Sequence, residues 1–407
     1  MRGLVLEGGG AKGSYHIGVV KSLCEMGFDF QAVAGTSVGA LNGAMIVQGE
    51  IDKAYDIWYN LCPEKVIKLT DTEQKELRYI SEQEKRLGAK LEKLRKIILD
   101  RGLDISPLEC LLREVIDEEK IRNSNIEFGI VTYDLTSRKP VEVYKENIPH
   151  GKLIDYLIAS SSLPVFKLKT IDDKIYLDGG IYNVLPVNLV RQKGCRDVVI
   201  VRTYTPFGRI RKFNNKGLNI ISIGPTESLG PVLDFSTERA RKNLLLGYFD
   251  AKKVVLKLKG KRYYIKPSKK NEDFFVDYFV NLDDANIKSV CELFGIENAN
   301  SRRALFEHII PKIGNILNIP PSASYGDIVI SLIENAAQVL EIEQFSVYTV
   351  KELLTNIMKK YKGTSEDIIK QIPAFIRNMN VISKIVRDKI IVKIAVELLG
   401  NMLEKDL

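Results

Sequence analysis

Two short apolar runs near the start of the chain, each ending at a glycine turn and followed by a helical pattern, most limit what this sequence can fold into. The first run, residues 2–6, leads into a loop with four glycines and then into apolar residues at helical spacing. The second run, residues 32–34, ends at Gly35, and the small-residue stretch 37–47 follows. Parallel neighbours need a crossover connection, so this order predicts an α/β fold with a parallel sheet.

The remaining pattern predicts two domains. With 407 residues, 45% hydrophobic and 28% charged, the composition is that of a globular protein and excludes disorder, collagen and coiled-coil rods. Strand-like runs recur to about residue 255, and helical spacing follows. We predict an α/β domain at 1–255 and an all-helical domain at 256–407. Dense mixed charge at helical spacing predicts a helical insertion at about 70–105, which would act as a lid or simply pack on the domain.

Cysteine usage favours a reducing compartment, and hydropathy predicts no transmembrane segment. The five cysteines are odd in number, scattered and free of any CxxC spacing. The first residues lack the apolar stretch of a signal peptide, and the most apolar late segment, 390–399, is interrupted by Lys393 and Glu397. We therefore expect a cytoplasmic protein without a transmembrane segment.

The net charge of +8 is concentrated in one segment. Residues 252–270 contain nine Lys or Arg and no acid. Such a segment suits peripheral contact with an anionic membrane surface, but a solvated hairpin edge is the simpler interpretation of the same residues. We expect no nucleic-acid partner.

The segment 35–39 matches GxSxG, the pattern of a nucleophile elbow, at a predicted strand-to-helix turn. A tight elbow needs glycines at Gly35 and Gly39 because neighbouring backbone passes without room for a Cβ. The turn would leave the Ser37 hydroxyl accessible at the start of a helix. Ser37 is thus a candidate nucleophile.

The preceding glycine loop allows three interpretations. Gly8, Gly10 and Gly13 satisfy GxGxxG, but the next strand ends without the acid that would bind a ribose. A P-loop is excluded because Lys12 precedes Gly13 instead of following it. The third interpretation is an oxyanion hole built from consecutive glycine amides. The Ser37 elbow on the following strand favours this one.

A serine nucleophile needs a base, and the chain has only three histidines. His16 follows the glycine loop, His150 lies in a predicted turn and His308 in the helical half, so none suits a triad. The alternative is Asp178, which ends the strand-like run 174–177 and precedes two glycines. Because parallel strands end at one edge of a sheet, we expect Asp178 near the elbow, although Asp-Gly is also common in plain turns.

Three segments in this order resemble the patatin-like phospholipase family: 7–13, 35–39 and 178–186. The stretches 159–166 and 106–108 are also similar to that family's sequence. The resemblance covers roughly the first 255 residues and is specific as a set.

The resemblance implies a three-layer fold with a mainly parallel central sheet flanked by helices. It makes Ser37 the nucleophile and Asp178 its general base, without metal or cofactor, in hydrolysis of fatty-acyl esters of phospholipids or related lipids at a membrane surface. Two departures, Glu7 where many members have Asp and Val184 where a second Asn is frequent, touch neither residue. The implied oxyanion hole and supporting positions are Gly8, Gly9, Gly10, Lys12, Gly35, Gly39, Gly179 and Gly180.

Two other classes of function stay open at this point. One is a catalytically silent patatin-like scaffold that binds a partner through its helical half. The other is a nucleotide-binding protein that uses residues 8–13. Labelling of Ser37 by a fluorophosphonate separates the first from an enzyme, and titration with NAD or ATP tests the second.

Overall fold

The structure, a computed structural model, describes residues 1–68, 102–167, 170–206, 208–297, 300–361 and 384–405. Most of the predicted helical insertion at 70–105 therefore lies outside the described residues. The chain forms two compact units, Met1–Lys252 and Lys253–Leu407.

The first unit is built on an eight-stranded sheet. Its strands are β1 (Arg2–Leu6), β2 (Ala32–Thr36), β3 (Glu127–Asp134), β4 (Lys139–Tyr144), β5 (Thr170–Ile171), β6 (Lys174–Asp178), β7 (Asp197–Val201) and β8 (Asn219–Ile223). The order is β5-β6-β3-β2-β1-β7-β8, and β4 pairs with β3. The pairs that join β3, β2, β1, β7 and β8 are parallel, whereas β4, β5 and β6 pair antiparallel. The sheet is mainly parallel, as predicted.

Helices pack around this sheet. They are α1 (Gly13–Glu25), α2 (Val38–Val47), α3 (Ile51–Tyr59), α4 (Ser106–Val115), α5 (Glu118–Asn123), α6 (Leu153–Ser160), α7 (Val187–Gln192) and α8 (Thr237–Val255). The central strands are apolar runs buried along almost their whole length, as expected where helices cover both faces.

Helices α1 and α8 approach each other at backbone distance. A Cβ on Gly18 would lie 2.0 Å from the carbonyl oxygen of Leu244, and one on Gly247 would lie 2.2 Å from that of Tyr15. Glycine at both positions therefore allows the two helices to pack closely.

The second unit is helical apart from a two-stranded parallel sheet. Its elements are β9 (Tyr264–Ile265), α9 (Glu272–Val280), α10 (Asp284–Phe294), α11 (Ser301–Ala304), α12 (Ile310–Leu317), α13 (Tyr325–Val339), β10 (Val347–Tyr348), α14 (Val350–Lys360) and α15 (Lys384–Leu399). A π-helical turn, Leu305–Ile309, joins α11 to α12. Residues such as Phe279, Val329, Leu353 and Leu398 form one buried apolar core.

The basic segment 252–270 contributes to this second unit around a buried carboxylate. Glu334 accepts hydrogen bonds from the amides of Lys261 and Arg262 at 2.7 and 3.1 Å. In the part of the chain that the structure describes, no helix combines the length and the apolar character needed to cross a membrane.

Candidate active site

Ser37 occupies a strained turn between β2 and α2. Its φ is 58° and its ψ is −130°, a conformation that a residue with a side chain rarely adopts. A Cβ on Gly35 would lie 2.2 Å from the carbonyl of Gly39, and one on Gly39 would lie 2.3 Å from the carbonyl oxygen of Leu6. The strand, sharp turn and helix predicted around GxSxG are thus present, and both glycines are needed because backbone fills the space of a side chain.

Strands β2 and β6 run toward each other along one edge of β3. Val131 in β3 is opposite Thr36 in β2 and Glu142 in β4. The next residue, Thr132, is opposite Asp178 in β6 and again faces β4 on its other side. Since β4 occupies the opposite edge throughout, β2 and β6 share the same edge, and their carboxyl ends meet. Ser37 and Asp178 are therefore brought together at this junction.

This arrangement corrects the reason given for expecting Asp178 near the elbow. We expected Asp178 at the edge where parallel strands end, but β6 is antiparallel to β3. Asp178 arrives from the opposite direction. Gly179 then crosses the backbone of β3 so closely that a Cβ would lie 2.2 Å from the carbonyl oxygen of Val131.

The Asp178 carboxyl is buried and only partly satisfied. Its Oδ1 accepts the amide of Gly180 at 2.7 Å, whereas its Oδ2 has no hydrogen bond of standard geometry with any described residue. Burial raises the pKa of Asp178 to about 6, and hydrogen bonding from the Ser37 hydroxyl and the Gly180 amide opposes that rise. The contact with Ser37 is thus looser than a standard hydrogen bond, as is common in catalytic sites before substrate binds.

Ser160, a residue without an expected role, holds the elbow in place. Its Oγ accepts the Ser37 amide at 2.9 Å and donates to the carbonyl oxygen of Val131 at 2.7 Å. The Asp178 amide donates to the carbonyl oxygen of Ser162 at 2.7 Å. The stretch 159–166 was noted only for its resemblance to the family's sequence. Its run of serines was the one feature that could have indicated these contacts.

The glycine loop lies beside the elbow, and its three amides are not equivalent. A Cβ on Gly8 would lie 3.5 Å from the Cβ of Ser37, but the Gly8 amide donates to the carbonyl oxygen of Val184 at 3.1 Å. The amides of Gly9 and Gly10 donate to no acceptor among the described residues. Gly10 has a φ of 55° and lines the same cleft as Ser37.

Glu7 and Lys12 fasten the glycine loop to the segment after β7. The buried Glu7 carboxylate accepts the amides of Thr203 and Tyr204 at 2.6 and 3.1 Å and the Arg202 Nε at 3.0 Å. Lys12 Nζ donates to the carbonyl oxygens of Thr203 and Tyr204, each at 3.3 Å. Burial lowers the pKa of Lys12, and the charge of Glu7 opposes this.

Thr203 was not foreseen from the sequence. Its Oγ1 donates to the carbonyl oxygen of Gly8 at 2.6 Å. A Cβ on Gly9 would lie 2.7 Å from Thr203 Oγ1. Thr203 is separated from the glycine loop by most of the sequence of the first unit, so no local sequence pattern could indicate this contact.

No histidine takes part in this junction within the described residues. His16 is buried in α1, where burial lowers its pKa to about 3, and its Nδ1 lies 3.4 Å from Asn42 Nδ2. His150 is exposed, 3.8 Å from Glu119, and His308 lies in the second unit. The described residues also contain no cluster of three His, Cys, Asp or Glu side chains that could hold a metal ion.

An apolar cleft opens beside Ser37. The polar groups in its wall satisfy one another, since Trp58 Nε1 donates to Asn42 Oδ1 at 2.9 Å and Asn42 Nδ2 donates to the Gly13 carbonyl oxygen at 2.8 Å. The apolar lining includes Leu41, Met45, Trp58, Leu112, Leu163 and Phe166. The cleft therefore suits a hydrocarbon chain next to the hydroxyl.

Comparison with known proteins agrees with the segments noted in the sequence. Residues 4–191 match the family described as patatin-like phospholipase. Patatin-like phospholipase domain-containing protein 6 of Mus musculus is 25% identical over 207 residues, which are 49% of this chain and 13% of the relative. Lysophospholipase NTE1 of Kluyveromyces lactis is 27% identical over 203 residues, which are 49% of this chain and 12% of the relative.

Each of these matches covers only a small part of the relative's length. Among solved structures, the chain is similar to VipD from Legionella pneumophila, with 16% sequence identity, a TM-score of 0.36, and coverage of 99% of this chain and 91% of that chain. The match to the patatin-like phospholipase family thus covers residues 4–191, and the two relatives are similar to about half of this chain.

Proposed function

We propose that this protein is a serine lipid acyl hydrolase that cleaves fatty-acyl esters of phospholipids or related lipids. The observation that carries the proposal is the unsatisfied Oδ2 of Asp178, buried at the junction where β2 and β6 meet and where Ser37 sits in a strained turn. A buried carboxylate oxygen without a hydrogen-bond partner destabilises the fold, and a catalytic role explains why one is present here. Membership in the patatin-like phospholipase family supports the same chemistry.

The proposed reaction is acyl transfer in two halves. Ser37 Oγ attacks the ester carbonyl carbon while Asp178 takes the hydroxyl proton, and the tetrahedral intermediate then expels the alcohol, which receives that proton. An acyl-Ser37 ester remains. Water attacks this ester, again with Asp178 as base, and the fatty acid leaves as Ser37 regains its proton.

The pKa of Asp178 suits this role. With a pKa of about 6, the carboxyl is ionised at neutral pH yet more basic than an exposed aspartate. Proton transfer from serine is thereby easier than it would be to an ordinary carboxylate. Each step also needs only one carboxylate oxygen, and Oδ2 is available because Gly180 binds Oδ1.

For the oxyanion hole, the contacts favour two of the three glycine amides. The amides of Gly9 and Gly10 have no acceptor among the described residues, whereas the Gly8 amide is already bonded to Val184. We therefore propose that Gly9 and Gly10 stabilise the developing negative charge and that Gly8 holds the loop in place. Glu7, Lys12 and Thr203 would act on the reaction only by positioning that loop.

The cleft beside Ser37 would accept the acyl chain. Its apolar lining removes methylene groups from water at about 0.8 kcal/mol each, which favours long-chain over short-chain esters.

Hydrolysis of p-nitrophenyl butyrate and of a long-chain phospholipid tests the proposal. Ser37→Ala and Asp178→Asn should each lower kcat by at least about a thousandfold, because one removes the nucleophile and the other the base. His150→Ala and His308→Ala should retain wild-type kcat. Circular dichroism of each variant checks that it is folded.

A different pattern would reject the proposal. Loss of activity in either histidine variant equal to that in Asp178→Asn would restore a histidine base. Wild-type protein that hydrolyses no ester and whose Ser37 is not labelled by a fluorophosphonate would favour the catalytically silent scaffold.

A further inference from the structure

Two exposed loops beside the candidate site are tied together by backbone hydrogen bonds. The Val184 amide donates to the carbonyl oxygen of Arg209 at 2.8 Å, and the Arg209 amide donates to that of Gly180 at 2.9 Å. Gly208, with a φ of 101°, packs so closely on Gly180 that a Cβ would lie 2.7 Å from its carbonyl oxygen. The loop that contains Arg209 is thus held against the segment that immediately follows Asp178.

Side chains reinforce this attachment. The Arg211 guanidinium lies 4.2 Å from the centre of the Tyr182 ring, and its amide donates to Asn183 Oδ1 at 3.3 Å. Phe213 packs against the buried core beneath the sheet. The exposed residues between these anchors are therefore presented on a fixed backbone next to the candidate base.

The exposed side chains in this region are apolar and basic. Ile181 is 38% exposed, Tyr204 is 56% exposed and Ile210 is 51% exposed. Arg209 and Lys212 are exposed in the same loop as Ile210. These five residues define what we call the basic-apolar rim.

The positive charge of the rim is largely uncompensated. The sequence has no acid between Asp197 and Glu227. Within the described residues, no carboxylate lies within salt-bridge distance of Arg209 or Lys212. Arg211 interacts with Glu142, and Arg202 binds Glu7, so these two arginines are not part of the rim.

The rim lies next to the residues that line the cleft. Lys12 Nζ binds the carbonyl oxygen of Tyr204, and Thr203, the residue before it, contacts the glycine loop. Gly10 lines the cleft together with Ser37. Exposed apolar and basic residues therefore adjoin both the proposed oxyanion loop and the segment after Asp178.

We propose that the basic-apolar rim docks the α/β unit on an anionic lipid bilayer, with Ile181, Tyr204 and Ile210 entering the interface and Arg209 and Lys212 contacting lipid phosphates. Apolar side chains among basic ones are the combination that binds at a charged membrane interface. Docking there would place the cleft where an acyl chain can move from the bilayer to Ser37. This inference rests on the proposed lipid hydrolase function.

Binding is tested separately from hydrolysis by working in the full-length Ser37→Ala background. Cosedimentation is measured with vesicles of phosphatidylcholine alone and with vesicles that also contain phosphatidylglycerol. Arg209→Gln and Lys212→Gln combined should weaken binding to the anionic vesicles by about twenty-fivefold, at roughly fivefold for each charge near the surface. Ile210→Asn should weaken binding to both kinds of vesicle.

A matched control removes the same charge elsewhere. Lys257→Gln and Lys259→Gln combined lower the net charge equally, in the segment 252–270 that composition alone suggested for membrane contact. This double variant should keep nearly all of the vesicle binding. An equal loss in the control, or no loss in the rim variant, overturns the proposal.

The outcome remains separable from that of the proposed function. With Ser37 present, the rim variants should hydrolyse monomeric p-nitrophenyl butyrate at the wild-type rate and phospholipid in vesicles more slowly. A parallel loss on both substrates contradicts docking, since it would indicate damage to the catalytic site. A wild-type protein that binds vesicles through the rim but hydrolyses neither substrate would leave docking intact and reject the hydrolase proposal.

Discussion

At the residue scale, the site depends on one carboxyl group, Asp178, in a buried environment that disfavours its ionised form. Asp178 is buried, one of its oxygens has no partner of standard geometry, and its pKa is raised to about 6. The folded protein therefore binds a proton at this group more readily than the unfolded chain, in which an aspartate pKa is about 4. Stability consequently falls as the pH rises through this window, because ionisation is harder in the folded state.

Replacing the carboxyl by an amide should remove this pH-dependent cost. The free energy of unfolding of Asp178→Asn, relative to that of wild type, should increase by about 1 to 2 kcal/mol from pH 5 to pH 8, because wild type loses stability over this range. Urea unfolding at the two pH values measures the difference. Asp56→Asn, an exposed position on α3, serves as control and should show no such change. A difference for Asp178→Asn that stays constant or shrinks toward pH 8 would show that the carboxyl is not strained by burial.

His16 is a second buried group whose pKa is shifted by burial, but it has no role in the proposed chemistry. It is buried, its pKa is lowered to about 3, and its Nε2 has no partner among the described residues. Because the unfolded chain binds a proton between that value and about 6.5, this histidine makes the fold less stable as the pH falls through the interval. A buried neutral histidine near a candidate nucleophile is here a packing residue.

At the element scale, the site depends on close backbone approach at the elbow. The turn at Ser37 brings the start of α2 against the end of β1, where a Cβ on Gly39 would lie 2.3 Å from the Leu6 carbonyl oxygen. Neither element can move without disturbing the parallel pairing of β1 with β2. The strained φ of Ser37 is therefore maintained by the sheet and not by local preference.

A methyl group at position 39 should separate these elements. Gly39→Ala should lower the free energy of unfolding by at least about 2 kcal/mol and reduce ester hydrolysis, since β1 or α2 must shift. Gly314→Ala is the matched helical control, because its nearest neighbour would be 3.8 Å away. That variant should be neutral or more stable, by up to about 1 kcal/mol. Thermal unfolding of both variants makes the comparison, and wild-type stability in Gly39→Ala would refute the packing argument.

At the scale of the whole molecule, much of the architecture follows from local patterns. The βαβα start, the elbow around Ser37 and the change to helices in the second half were all predicted, because hydrophobic period and glycine position are local signals. The direction of β6 was not, since five residues of a strand do not reveal which edge they join. Contacts of Ser160 and Thr203 with the site were also missed, because they depend on pairings far apart in sequence.

The residues that support the proposed function lie in the first unit. The first holds Ser37, Asp178, the glycine loop and the apolar cleft, while the second has its own apolar core and a buried Glu334 that binds loop amides. The family match, residues 4–191, lies within the first unit. We therefore assign the proposed chemistry to residues 1–252.

The central claim, that Asp178 alone activates Ser37, is tested most directly by the pH dependence of Ser37 labelling by a fluorophosphonate, followed by mass spectrometry. The labelling rate reports the ionisation of the free enzyme's base. It should fall as the pH is lowered, with a half-maximal rate near pH 6, the raised pKa of Asp178. A labelling rate that does not change between pH 4 and pH 8, or an adduct on a residue other than Ser37, would contradict the account.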